Sequence, residues 1–497
     1  MSKQDELDVR LYTLGQSSKR TGMFGLPLRA TIVAGIGYIA TLLVFMQSTF
    51  TTGLAVGAMT TIYLIPALLR FGNRTLYEVA QMRIQFWRAK LKGHTAYRSG
   101  PHSSVPGGRF RLPGFLARTE LHVGLDMAGN WFGMIRDPGQ NQYTVMMHCS
   151  PRGAEPWTLD DRNIMTREWG AWLSELSLSG DVVGATATVE TVPSTGYDLK
   201  RSVLGDVDES APEVARRIQA ESVAQFTRNQ ADIRGWASVT FKATNTVARK
   251  DPEAMATDLG QRLPGLYAQL QHAGVSARPM GPGEIVGLAM SGWRPEVNDR
   301  VVAAEIDGED LGVEWADAGP ASANTEWDHY RHSEYTSRTF EMGLAPAAAF
   351  TDTVLRPLLA PHADVPRKRV TLVYRPFPAG DAVKMVENEH RDALNAVNSS
   401  RKVVGANAQL RLEQTEASRQ SLARGGQLGR YSLLATLTVP DTEQLSAVSA
   451  VLTQLGNRSQ VGLHPTNGQQ DAAFAAAMGL GVFLDQKSSI SAFAKAG

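Results

Sequence analysis

Cysteine is nearly absent: Cys149 stands alone, which excludes an internal disulfide and any cysteine-rich zinc or iron–sulfur site. An excess of either charge is also missing. The formal net charge is +1 over 497 residues, so no global electrostatic footprint for nucleic acid exists. Catalytic signatures are lacking too. No G-x-x-x-x-G-K-[ST] string is present to cradle nucleotide phosphates, and no H-E-x-x-H or Gly-x-Ser-x-Gly occurs. The nearest glycine cluster, Gly425-Gly426-Gln427-Leu428-Gly429-Arg430, lacks the lysine and hydroxyl and reads as a helix C-cap and loop. The best metal-like cluster is His329 and His332 with Glu326, Asp328 and Glu334; Arg331 separates the imidazoles, and a polar loop or edge strand is the expectation. No catalytic, cofactor-binding or metal-ligating residue is therefore assigned, and the chain is expected not to be an enzyme.

Charge disappears altogether between Ala30 and Leu69, where no Asp, Glu, Lys or Arg occurs. Such a stretch covers a bilayer's ~30 Å hydrocarbon core twice if it turns in the middle. The polar segment Gln47–Gly53 supplies a turn. We therefore expect a transmembrane helical hairpin over residues 26–70, with spans at 26–46 and 53–69. Gly35, Gly37, Gly53 and Gly57 would let the helices approach closely. Basic residues flank the pair: Lys19, Arg20 and Arg29 before it, then Arg70, Arg74, Arg83 and Arg88. The positive-inside rule then places both ends and the main body in the cytoplasm, with the protein in the inner (plasma) membrane. Residues 1–25 form a cytoplasmic segment without the features of a cleavable signal. Residues 71–118 read as a basic juxtamembrane helix and linker facing anionic lipid, with DNA contact left open.

Beyond the linker, runs at 120–126, 131–136 and 142–149 read as short strands separated by strong turns. Helices are expected at 159–176, 212–231, 252–273, 347–360, 381–399 and 406–422. Strands are expected at 182–192, 235–243, 338–342, 369–375 and 431–438, followed by a helix capped by Asp441. The fold class is α+β, antiparallel sheets covered by helices. A first domain spans 119–298, a polar linker or insertion 299–324, a second domain 325–468, and a small apolar C-terminal tail 469–497.

Three segments carry a resemblance: Gly281-Pro282-Gly283-Glu284-Ile285-Val286 leading to Trp293-Arg294-Pro295; Arg369-Val370-Thr371-Leu372-Val373-Tyr374-Arg375-Pro376; and Leu463-His464-Pro465 through Gln470-Asp471-Ala472-Ala473-Phe474 to Met478-Gly479-Leu480-Gly481. With the order of parts, they resemble an actinobacterial conjugation-cluster membrane family. Its chain looks like a VirB-type two-helix inner-membrane subunit fused to the non-motor N-terminal half of a type IV secretion ATPase. The resemblance implies a non-enzymatic scaffold of a conjugation or secretion machine, docking a separate secretion ATPase, other membrane subunits and further copies of itself. Phe474, Met478, Leu480, Val482 and Phe483 would form the partner-docking tail. Two alternatives are an EccE-like membrane component of a type VII secretion system and a membrane-bound transferase.

Overall fold

The computed structural model describes residues 28–484, apart from 48–49, 69, 72–73, 101–102, 104–110, 152–156, 206–209, 227–229, 245–248, 250, 345–349, 378, 399–405 and 424–425. It opens with two packed helices, α1 (Leu28–Gln47) and α2 (Phe50–Leu68). Their seam is small and hydroxylic. A Cβ on Gly57 would touch Thr41, and one on Gly37 would touch Thr60. The Thr41 and Thr60 hydroxyls turn back onto the Gly37 and Val56 carbonyls at 2.8 and 2.9 Å. The outer faces carry the large apolar residues instead, including Ile36, Ile39, Leu42, Leu54, Met59 and Ile62.

The expected helices are thus present, but the membrane reading is overturned. Among the described residues, no helix is long and apolar enough to cross a membrane. At 1.5 Å per residue, the 20 and 19 residues of α1 and α2 leave no margin for a ~30 Å core. Arg29 and Gln47 occupy the two ends of α1, and α2 includes Thr51, Thr52, Thr60, Thr61 and Pro66. The expected transmembrane hairpin, and the multi-pass inner-membrane placement built on it, are corrected accordingly.

A two-residue ladder, β1 (Arg70–Phe71) with β2 (Arg74–Thr75), leads into α3 (Leu76–Leu91) and β3 (Ala96–Arg98). The chain then builds one 13-stranded sheet with two units. The first unit runs β4 (Glu120–Leu125), β5 (Trp131–Asp137), β6 (Gln142–Pro151), α4 (Leu159–Leu178) and β7 (Val182–Pro193). It continues through α5 (Tyr197–Gly205), α6 (Glu213–Phe226), β8 (Ala231–Lys242), α7 (Pro252–His272), β9 (Val275–Pro279) and α8 (Pro282–Trp293). Helix α9 (Asn298–Asp307) crosses the stretch read as a polar linker. The second unit runs β10 (Ser322–Thr325), β11 (Tyr330–His332), β12 (Tyr335–Leu344), α10 (Arg356–Leu359) and β13 (Arg367–Pro376). It closes with α11 (Ala379–Asn398), α12 (Ala406–Ala423), β14 (Gly429–Val439), α13 (Leu445–Arg458), β15 (Gly462–Pro465) and α14 (Gln470–Ala477).

The two units match element for element. One half of the sheet reads β4-β5-β6-β8-β7 and the other β13-β14-β12-β11-β10, with β9 on β6 and β15 on β12. They meet in an antiparallel β7–β13 pair that sets Thr188 opposite Thr371. Their hydrogen bonds repeat as well. Pro279 lies opposite Met147 and Pro465 opposite Phe340. The next residue in each unit, Met280 or Thr466, donates its N–H to the Met146 or Thr339 carbonyl at 2.9 and 3.0 Å. The body is an internal duplication of a split β-α-β unit, related by a pseudo-two-fold through the β7–β13 seam.

Strand alternation assigns the faces. In β6, Tyr143, Val145, Met147 and Cys149 join a core beneath α4 and α7. The matching face of the second unit, with Val370, Leu433, Ala435 and Leu437, packs under α10 and α13. The opposite face of both units is one shared core, holding Met146, Trp236, Met290, Trp293, Leu434 and Phe474. Only four helical residues, Arg356–Leu359, form where a helix over 347–360 was expected. Pro357 occupies the first turn, and residues 345–349 lie outside the described set.

Candidate functional site

The shared face is the natural floor for a site, because both units converge there. Hydroxyls run across it in pairs. Thr144 with Thr240 (2.8 Å) in the first unit has its counterpart in Ser337 with Thr438 (2.7 Å) in the second. Thr188 with Thr371, at 3.1 Å, bridges the seam. Each hydroxyl both donates and accepts, so a row of them satisfies itself without water.

This floor is covered by the chain's own final described segment. Gln470 of α14 clamps Thr339, accepting from its N–H (2.8 Å) and donating to its carbonyl (3.2 Å). The Ala477 carbonyl accepts from the Thr371 hydroxyl at 2.5 Å, and the Met478 carbonyl accepts from Trp236 Nε1 at 3.0 Å. Gly479 and Gly481 then lie flat on the hydroxyls with φ of +73° and +81°. A Cβ on Gly479 would stand 2.8 Å from Thr186 Oγ1, and one on Gly481 would overlap Thr144 Oγ1. Glycine is required here twice over, by left-handed backbone and by contact.

Phe474, Met478, Leu480, Val482 and Phe483 are consequently interior residues, each at most 3 % exposed. The expected docking role for these side chains is corrected: their apolar character seals the protein's own sheet.

At the seam, Glu190 faces two arginines in a nearly dry interior. Arg367 reaches Glu190 Oε1 with Nε and Nη2, both at 3.1 Å, and Arg369 Nη2 does so at 2.7 Å. Burial alone would raise the Glu190 carboxyl, but Arg367, Arg369 and Arg234 outweigh it and hold it down at about 2. Arg369 also lies 5.8 Å from the Trp236 ring centre and 5.7 Å from that of Phe474, so its charge is shared between a carboxylate and two aromatic faces. This cluster has no signature in the residue pattern, since Glu190 sits in a strand whose alternation with Thr186 and Thr188 resembles an exposed face.

The histidine cluster is taken apart. His332 is fully buried, with Nδ1 2.5 Å from the Trp293 carbonyl and Nε2 2.8 Å from Ser337 Oγ. A carbonyl only accepts, so Nδ1 carries the hydrogen and the imidazole is neutral. Burial pushes its pKa down to about 3, despite the Trp293 hydrogen bond; Arg367 and Arg369 add to the depression. His329 instead pairs with Asp328 at 2.9 Å, and Asp328 also pairs with Arg338. Both imidazoles are spent on structure.

Of the basic flanks, Lys19 and Arg20 lie outside the described residues. Arg29 is in the first turn of α1, while Arg70 and Arg74 sit in the small β1–β2 ladder. Arg83 stacks 4.5 Å over Trp327 in the β10–β11 turn, beside Phe86 edge-on to the same ring at 5.5 Å. Lys90 pairs with Glu326 at 3.0 Å. Helix α3 is thus tied down on the second unit's outer hairpin, and Arg88 remains exposed.

Two cavities flank the shared core. One, of about 440 Å³, lies between β8 and α8–α9 and includes His148, Arg234, Glu284 and Glu305. Arg234 of its lining meets Asn298 Oδ1 at 3.0 Å, and Glu284 accepts from the Gly281 N–H and Arg278. The other, of about 670 Å³, is a groove under α3 walled by Phe86, Tyr97, Trp293, Tyr330 and Ala475.

Residues 19–78 match a family described as a domain of unknown function, DUF8461. The match covers the α1–α2 hairpin and its flanks. No curated protein matches the chain.

Proposed function

We propose that the protein is a non-enzymatic scaffold of a type IV-like conjugation or secretion machine, and that it docks a separate secretion ATPase. The observation that carries this reading is the sealed shared face. Where two converging sheet units would floor a reaction cleft, residues 470–484 fill the space, and the buried carboxylate nearby, Glu190, is held by Arg367 and Arg369. What the described residues offer outward includes apolar surface on α1 and α2 and the exposed faces of α5–α6 and α11–α12. Large exposed apolar patches mark partner sites. In the ATPases that the chain resembles, a stretch like 463–481 leads into the motor, which makes a separate motor the fitting partner.

Affinity purification of the full chain from cells that carry its gene cluster tests the proposal. The expected result is a co-purifying ATPase whose nucleotide hydrolysis is absent from the isolated chain. ATP hydrolysis by the isolated chain, or repeated purification with no ATPase, would overturn it.

A further inference from the structure

The two cavities beside the shared core differ in how their carboxylates are met. In the one between β8 and α8–α9, Glu190 is held by Arg367 and Arg369, and Glu284 by Arg278. The larger groove, under α3, has one carboxylate in its lining, Asp471, and no lysine or arginine. Among the described residues no cation pairs with that carboxylate. Two basic residues of the roof are turned to other partners, Arg83 to Trp327 and Lys90 to Glu326.

Asp471 follows Gln470, whose amide is spent on the clamp to Thr339. Burial raises the Asp471 carboxyl above the ordinary range, against hydrogen bonds from the N–H groups of Ala472 and of Asp471 itself and from Thr325. Those bonds fix the direction of the group but supply no full positive charge to offset its own. Around it the groove is aromatic and apolar, with Phe86, Tyr97, Phe115 and Ala472 in its walls. This surrounding selects a ligand by charge. An anion is repelled by Asp471, and a neutral molecule excludes water while leaving the carboxylate uncompensated. A cation removes that cost, and aromatic rings attract it further. The volume, about 670 Å³, falls within the range of small-molecule sites, roughly 300–1,000 Å³, which are mostly apolar with a few placed polar groups.

We propose that the groove under α3 is a binding site for a small amine, whose ammonium pairs with Asp471 and whose apolar body lies against Phe86, Tyr97 and Phe115. A primary ammonium has three donors, enough for the carboxylate and for the Thr325 hydroxyl beside it. The roof of the site is α3, and its floor belongs to α14, the helix that leads into the sealing strip. Occupancy therefore ties α3 to that strip. This inference is independent of the scaffold reading and survives its failure.

The test titrates the full chain with 2-phenylethylamine by calorimetry, beside 2-phenylethanol, which has the same body without the charge. The amine is expected to bind and to slow amide exchange in α3. The alcohol should bind at least about tenfold more weakly. Asp471→Asn keeps the shape of the side chain and removes an uncompensated charge, so its circular dichroism melt should be no lower than that of the parent, while the amine affinity falls at least about tenfold. Ala472→Leu fills the groove with Asp471 still in place, and should also abolish binding. If Asp471 served only to cap α14, Asp471→Asn would lower the melt and the parent would bind no amine. No binding by the parent at millimolar amine, equal affinity for the alcohol, or undiminished binding by Asp471→Asn would each overturn the inference.

Discussion

The two units share connectivity and differ in dress. In the first, α4 and α7, of 20 and 21 residues, cover the helix-side core with Trp172, Leu259 and Leu263. In the second, α4's place is taken by the four-residue α10, and Leu358 and Leu452 do the filling. The outer hairpin is roofed by α3 in the second unit, whereas in the first it is braced by α7, whose Gly260 carbonyl accepts from the Met127 N–H at 3.1 Å and whose Tyr267 hydroxyl donates to Asp126 at 3.2 Å. The strand ladders and the residue following Pro279 or Pro465 are nonetheless placed alike. Sheet register is fixed by pairing and by which face is buried, because a one-residue slip would turn every side chain over. Helices that merely cover a face tolerate replacement as long as volume is filled. The seam and the shared face hold the units to one frame, and everything outside them has diverged.

That contrast is most severely strained by removing the carboxylate at the seam. Glu190→Gln leaves two buried arginines without a counter-charge and should cost about 3–5 kcal/mol, read as a fall in the denaturant midpoint. Replacing Glu190, Arg367 and Arg369 together by apolar residues of similar size should recover most of the loss. A Glu190→Gln protein as stable as its parent would show that the units do not depend on the seam.

Gly481→Val should cost on the order of 2–4 kcal/mol, through left-handed strain and contact with Thr144. Gly129→Ala, also at positive φ but with open space around it, should cost on the order of 1 kcal/mol. Equal losses would mean that the covering strip contributes nothing beyond backbone strain.

Acid sharpens the comparison through His332, which only the second unit has at this place. Its folded-state pKa, about 3, lies below the unfolded value of roughly 6.5, so the unfolded chain takes up a proton that the folded chain refuses. This stability is complete above about pH 6.5 and is lost as pH falls toward 3. Glu190, held at about 2, adds a second loss below about pH 4.5. His332→Gln should lower the pH 6–4.5 slope by about 1.4 kcal/mol per unit in urea titrations. An unchanged slope would place the proton elsewhere.

The smallest effect concerns the hairpin roofs. Trp327→Ala should speed amide exchange in α3 and β3, whereas Met127→Ala, at an exposed side chain whose N–H stays bonded to Gly260, should leave exchange in the first unit unchanged. Faster exchange around Met127 would mean that its exposed side chain, and not the α7 contacts, holds the first hairpin.

Much of this fold was readable beforehand where pattern and burial agree. The short runs at β4, β5 and β6 are set apart by strong turns, and Asp441 caps where a helical turn begins. The single continuous sheet was not readable. Its inner faces near the seam are Thr186, Thr188, Thr371 and Thr436, which look like solvent-facing residues until hydroxyl pairs and a glycine strip are seen to cover them. The duplication was hidden for a related reason, since α4, with 20 residues, is five times as long as its counterpart α10, with four. The small apolar tail was expected to dock a partner, but its side chains from Phe474 to Phe483 lie against the chain's own sheet. The helices of the N-terminal pair begin and end close to their expected limits, and the crossing inferred from their lack of charge is what failed.

Native-state hydrogen exchange on the full chain tests the central claim most directly, namely that two duplicated units act as one sheet sealed by residues 470–484. The slowest amides of β7–β8 and β13–β14 should open with a common free energy, and Gly481→Val should lower both sets by the same amount. Protection that falls in one unit while the other keeps its own value would contradict the account.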